Sequence, residues 1–469
     1  MRTLILSLLV SLVFISCQSQ SNHNCPFPYT NHQPEDQCDF LEVPRNWDAS
    51  NSETTRLGYL VITSKSEQRK DDPVIFLQGG PGGSVLSLAN IYSQLQFDTD
   101  RDFILFDQRG VGFSEELCPG LNLKLLEIMA ADLTIDDEIS QLKTSVLPCI
   151  ERIKTDGRQF STTTNAKDLE ALRQHLGYKT LNLFGGSYGT RLGLKYMELY
   201  PAKVRSAVLS GLFPLELRMY DALFSNFNNS LNLLFERCTA SPDCHSKYPE
   251  LKATFLAMYS DLKNNPISID VQGTPFIINQ QDVLLFMHQM LYRDDTIERI
   301  PEFIKALEQS DLDYISSVTT LFVPRITLIN LAVYYAIMTA DEGRFDNQSK
   351  LGADSKHEIF SDTGLSLFSA DPEVISSWYS VPVASNTMAT ITSSIPTLLV
   401  SGEFDPVTPP SNGNTVAKGL KNSQHVIFKN NGHVPINNCF FNLAKAFLDV
   451  PTKPLDTACS EQKAVLNWD

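Results

Sequence analysis

An α/β fold with a mostly parallel central sheet, and a helical cap inserted before its last strands, is predicted by three features of this 469-residue sequence. Short apolar strands alternate with helix-like segments, the pattern of a parallel sheet covered by helices. One such strand turns into a helix through glycines that flank a serine. Two later strands each open onto a loop, the first bearing acids and the second a histidine. A long stretch of different texture separates the early strands from the late ones.

The turn lies in "LNLFGGSYGTRLGLKYMELY", residues 181–200. Leu181 to Phe184 read as a buried strand, and Tyr188 to Tyr200 carry apolar residues at helical spacing. Gly185-Gly186-Ser187-Tyr188-Gly189 fits G-x-S-x-G, in which a strained turn lifts the serine out and glycines let strand and helix approach closely. A helix start also sets the backbone N–H of Tyr188 and the positive end of the helix dipole beside any oxyanion formed at Ser187. Just upstream, "NAKDLEALRQHLGYKT" (165–180) reads as a helix ending at Gly177, with Leu169, Leu172 and Leu176 on one face.

A serine hydroxyl becomes a nucleophile when an imidazole takes its proton, and the imidazole needs a carboxylate to orient it. In this fold class the chain order is serine, acid, histidine. "IPTLLVSGEFDPVTPP" places a strand, Thr397 to Val400, before a turn with Glu403 and Asp405, and "HVIFKNNGHVP" places His425 to Phe428 before a loop bearing His433. Asp405, deeper in the loop and held by Pro406, is the expected acid; Glu403 reads as a solvated carboxylate at a strand end, and His425 as a strand residue. A second oxyanion donor is expected from the loop after an early strand. "DDPVIFLQGGPGGSV" supplies strand Val74 to Leu77 and a loop of four glycines and a proline, from which the N–H of Gly80 is assigned. The loop has no lysine and no phosphate-binding G-x-x-x-x-G-K-[ST] pattern.

Three separated motifs, "GGPGGS" (79–84), "DQRGVGFS" (107–114) and "GGSYGT" (185–190), together with "GEFDPVTP" and "NGHVP", resemble the α/β-hydrolases of the prolyl aminopeptidase and tripeptidyl aminopeptidase family. The likeness runs from about residue 40 to the C-terminus. It implies the α/β-hydrolase fold, a serine exopeptidase activity on short peptides with a free N-terminus, and Asp405 and His433 as partners of Ser187. It also implies a structural role near the site for Arg109, after the strand Phe103 to Phe106. Gln78 stands where the related enzymes often have histidine. A free-amine substrate calls for a carboxylate facing its ammonium group. "NLAVYYAIMTADEGR" resembles the family's apolar-to-acidic cap segment, with Thr339 where a cysteine is common, and puts forward Asp341 and Glu342; Glu216 is a further candidate. Turnover of esters or small amides on the same triad, and an inactive hydrolase-like binding protein, are the competing readings.

The predicted division is an export signal (1–16), a tether and N-terminal disulfide segment (17–39), a first core part (40–213), the helical cap (214–394) and a second core part (395–469). The cap reading rests on helix-like, aromatic-rich segments such as "YDALFSNFNNSLNLLFERC" and "QDVLLFMHQMLY". "MRTLILSLLVSLVFISCQSQS" has one positive charge, an apolar run and small residues at its end, and reads as an export signal. "FISC" resembles a bacterial lipoprotein cleavage site, with Phe14 where leucine is usual. Cys17 would then carry lipid and anchor the protein to a membrane at the cell envelope; free secretion is the alternative. Of nine cysteines, Cys17 set aside leaves an even eight, suited to an oxidising compartment. Clustering suggests Cys25 with Cys38, Cys118 with Cys149, Cys238 with Cys244 and Cys439 with Cys459, out of about 105 pairings. The last pair has support from the resemblance, since tripeptidyl aminopeptidases carry two cysteines after the histidine. No C-x-x-C or H-E-x-x-H spacing occurs, so no metal or other cofactor is expected. A net charge of −16 would repel nucleic acid, and no basic stripe offsets it.

Overall fold

The computed structural model describes residues 25–94, 100–153, 159–271, 273–342, 364–378, 389–461 and 466–468. The export signal and Cys17 lie outside them. Among the described residues ten strands are formed: β1 (Gln37–Pro44), β2 (Thr54–Ile62), β3 (Lys70–Leu77), β4 (Arg101–Phe106), β5 (Leu181–Gly186), β6 (Val204–Ser210), β7 (Ile267–Val271), β8 (Thr274–Ile278), β9 (Thr397–Gly402) and β10 (Ser423–Phe428). Eight build one sheet in the order β1-β2-β4-β3-β5-β6-β9-β10. The β1–β2 and β2–β4 pairs are antiparallel and every pair from β4 to β10 is parallel. β1 begins at Gln37, so residues 37–39 of the stretch expected as tether belong to the sheet.

Strands β4 and β9 are buried along their whole length, as central parallel strands covered on both faces must be. Alternation splits their side chains between two cores. Phe103 and Leu105 join Val74, Val208 and Val400 in one core with Phe440 and Phe447 of the helix Asn438–Asp449. Ile104 and Phe106 join Ile75, Leu77 and Leu183 on the opposite face.

The helices that matter for the site are α1 (Ile135–Ile153), α2 (Thr162–His175), α3 (Tyr188–Leu199), α4 (Leu223–Ala240), α5 (Gln280–Met290), α6 (Leu331–Glu342) and α7 (Ser366–Trp378). Ser161 caps α2 by accepting from Thr164 N. Helices α4 to α7 follow β6 and precede β9, as a cap inserted there requires. Two further features mark that insertion. It contains the hairpin β7–β8, and it is joined by α1 from the first core segment, through Ser366 donating to Glu138 and through Lys143 with Glu373. Among the described residues no helix is long and apolar enough to cross a membrane.

Disulfides join Cys25–Cys38, Cys118–Cys149, Cys238–Cys244 and Cys439–Cys459. Arg109 is a brace: its guanidinium grips Asp168 with two bonds (2.7 and 2.6 Å) and donates to the carbonyls of Arg45 and Pro44.

Candidate active site

Ser187 sits between the end of β5 and the start of α3 with φ 55° and ψ −126°. A positive φ is costly for a residue with a side chain and persists where the surroundings over-determine it. Here Ser187 N donates to Ser210 O (2.9 Å), and Thr190 Oγ1 donates back to Ser187 O (2.7 Å). Glycine is required on the helix side, since a Cβ on Gly189 would overlap the Leu77 carbonyl of β3. The turn is thus bonded to β6 at Ser187 and packed against β3 at Gly189.

Asp405, after β9, is fully buried and accepts from Val407 N (2.9 Å), Thr408 N (2.7 Å) and Thr408 Oγ1 (2.6 Å). His433, on the loop after β10, brings Nδ1 to 2.7 Å from Asp405 Oδ2. Burial alone would raise the Asp405 pKa, but the imidazole charge and these donors outweigh it and hold the carboxyl below the usual carboxylate range. The aspartate is therefore ionised and oriented toward the ring.

With Nδ1 engaged by the acid, Nε2 is the ring atom left for the serine. The ring's Cε1 edge faces the end of β6: a Cβ on Gly211 would stand 3.1 Å from it, and the preceding residue, Ser210, is the one bonded to Ser187 N. Val434 fills the adjoining notch, near Gly186 and Gly211. Ser187 Oγ makes no hydrogen bond to His433 in this structure; catalytic contacts of this kind are often loose without substrate.

The glycine loop after β3 completes the ring of elements. A Cβ on Gly79 would be 3.0 Å from Ser187 Cβ, so the loop carrying Gly80 passes directly beside the serine. Asp107 braces the far end of that loop, accepting from Val85 N (2.7 Å), Leu86 N (3.1 Å), Phe113 N (3.1 Å) and Ser84 Oγ (2.9 Å). Burial pushes its pKa up to about 6 in spite of these donors. Gln78, at the foot of the loop, donates to Tyr92 OH and accepts from Gly79 N.

Residues 72–260 match the family model described as the alpha/beta hydrolase fold, and residues 370–459 match that of a TAP-like protein. The chain has the α/β-hydrolase fold. Over 188 residues, 38% of its length, the chain is 30% identical to the tripeptidyl aminopeptidase of Streptomyces coelicolor, covering 35% of that protein. It is 24% identical to the serine protease Hip1 of Mycobacterium tuberculosis across 89% of its own length and 86% of that protein. With the putative hydrolase YuaR of Escherichia coli it shares 27% identity over 69% of its length and 59% of that protein. The chain thus spans about a third of the length of the first of these relatives.

The other singled-out acids of the chain are engaged with partners of its own. Glu342 accepts from Arg191 Nη1 (2.8 Å) and Met219 N (3.1 Å) in a buried ion pair, with burial raising its pKa to about 7. Asp341 accepts from Thr162 N (3.1 Å) and Thr162 Oγ1, and burial raises its pKa too. Glu216 accepts from Thr390 Oγ1 (3.1 Å). Glu403 is not a solvated strand end: its side chain is only 15% exposed, and it pairs with Arg237 of α4 (2.8 Å) while accepting from Asn430 N (3.1 Å). His425 lies on β10, with Nε2 3.0 Å from Ser401 Oγ. Among the described residues no three His, Cys, Asp or Glu side chains gather as a metal site.

Three contributors escaped the sequence reading. Thr408 lies 3.0 Å from His433 Nδ1 while donating to the acid, a contact that the spacing Asp405-x-x-Thr408 could have suggested as a turn. Asp107 braces the glycine loop. Tyr292, just after α5, sets its ring edge-on to the His433 imidazole with centroids 4.8 Å apart, which no local pattern announces.

Proposed function

We propose that this protein is an exported serine peptidase that releases short N-terminal pieces, one to three residues, from peptides. The observation that carries the reading is His433 Nδ1 at 2.7 Å from a buried, ionised Asp405, with the ring's Cε1 beside Gly211 and the neighbouring Ser210 carbonyl bonded to the N–H of the strained Ser187. His433 Nε2 takes the Ser187 proton as Oγ bonds to the peptide carbonyl carbon. The N–H groups of Gly80 and Tyr188 hold the oxyanion, worth about 10²–10³ in rate per donor. The imidazolium then protonates the leaving amine as the C–N bond breaks, and water, activated by the same imidazole, releases the acyl group from Ser187.

The names of the similar proteins support a peptide as substrate. Four disulfides support an oxidising compartment, in keeping with export and a lipid anchor at Cys17. The acidic charge of −16 supports a partner other than nucleic acid.

A substrate panel tests the reading. Protein lacking residues 1–16 is given aminoacyl-, prolyl- and tripeptidyl-anilides, with free and acetylated N-termini, and simple esters, beside Ser187→Ala. Turnover of at least one free-amine anilide, lost in Ser187→Ala, is expected. Ready ester turnover with every free-amine anilide untouched contradicts the peptidase reading; equal behaviour of wild type and Ser187→Ala contradicts the enzyme reading.

A further inference from the structure

Helix α6 of the cap touches the site at both of its ends. At its start, Asn330 donates its backbone N–H to Gly82 O (2.8 Å), and Ile329 bridges Gly83 in antiparallel register. Only Pro81 separates these glycines from Gly80. The approach is close enough that a Cβ on Gly82 would stand 2.5 Å from Asn330 O. The Asn330 side chain fixes the arrangement: Oδ1 accepts from Val333 N (3.0 Å), capping α6, and Nδ2 donates to Leu117 O (2.8 Å), so the asparagine is bound on three sides.

At its end, α6 holds the helix that begins with Tyr188. Asp341 binds Thr162, whose Oγ1 lies 2.7 Å from Tyr188 OH. Glu342 holds Arg191, one turn further along α3, while Arg191 Nη2 donates to Leu215 O (2.9 Å). A helix of twelve residues is about 18 Å long and resists bending far more than a loop does. One rigid element therefore ties the glycine loop to the nucleophile helix.

We infer that α6 sets the spacing between the two oxyanion donors, the N–H groups of Gly80 and Tyr188, with Asn330 and Asp341 as positioning residues at its two ends. The inference rests on the serine-hydrolase reading above. It gives Asp341 a role different from pairing with a substrate ammonium group, and it makes this part of the cap a fixed member of the catalytic site.

The test uses Asn330→Ala, Asp341→Ala and the double variant on two substrates: a free-amine peptide anilide, and p-nitrophenyl acetate, which has no amine. A donor displaced by a fraction of an ångström stabilises the transition state less while ground-state binding persists. Each single variant is expected to lose about tenfold or more in kcat on both substrates, with KM unchanged within about twofold. The double variant is expected to lose less than the product of the singles, because freeing one end already removes the constraint. Where Asn330→Ala gives no cooperative melt, Asn330→Asp, which keeps the cap acceptor and removes the donor to Leu117 O, takes its place. Full kcat in both single variants, a rise in KM confined to the free-amine substrate, or fully multiplicative losses would overturn the inference. Ser187→Ala separates the two claims: if it is inactive while the α6 variants keep full kcat, only the spacing role falls, and if it matches wild type, the serine-hydrolase reading falls first.

Discussion

The Thr408 hydroxyl donates to Asp405 Oδ2 across 2.6 Å and stands 3.0 Å from His433 Nδ1, so one side chain steadies both members of the acid–histidine pair. Thr408→Val keeps the shape and removes the donor. The carboxylate then loses one of the bonds that hold it against the ring. A fall of about tenfold in kcat/KM, about 1.4 kcal/mol of transition-state stabilisation, is expected from steady-state kinetics. An unchanged value would show that the backbone donors of Val407 and Thr408 suffice.

The close crossing of β3 and α3 sets a second expectation. Gly189→Ala would drive a methyl group into the Leu77 carbonyl, and backbone on both sides must shift to admit it. A loss of about 1–3 kcal/mol in stability is expected, read as a lower denaturant midpoint. Activity should fall further than stability alone explains, because the shift passes through Ser187. A variant as stable and active as wild type would mean that this turn is looser than the structure has it.

The sequence displayed some of these relationships and concealed others for definite reasons. The turn around Ser187 and the loops of Asp405 and His433 are written locally, in glycine spacing and strand–loop order. The cysteine pairs were suggested by clustering, since each lies within 31 residues of its partner. Glu403 looked solvated because its partner Arg237 is 166 residues away, on another element. Likewise the bonds of Asp341 and Glu342 to Thr162 and Arg191 cross 179 and 151 residues. Their charge was visible in the chain; the donors that bind it were not. The hairpin β7–β8 is two five-residue strands, too short for its alternation to stand out.

Glu138 of α1 sits between Ser366 and Gln281 with no cation among its described partners, and burial pushes its pKa up to about 7. In the unfolded chain it titrates near the ordinary glutamate value of about 4.3. Between these two values the folded protein binds more protons than the unfolded one, so stability is full below the lower value and is lost as pH rises through the upper one. Asp282 is shifted in the same direction by burial and by the Glu138 charge. Glu138→Gln should therefore lessen, without abolishing, the loss of stability between pH 5 and pH 8, by an amount on the order of a few kcal/mol. Equilibrium denaturation at the two pH values measures it; an identical slope in variant and wild type would contradict the assignment.

Convergence of Ser187 and His433 is tested most directly by covalent labelling. A fluorophosphonate is given to wild type and to His433→Ala, and the adduct is located by peptide mass. One adduct on the peptide containing Ser187 is expected in wild type, with labelling slowed by about a thousandfold or more in His433→Ala. An adduct elsewhere, or equal labelling of the two proteins, would contradict the account.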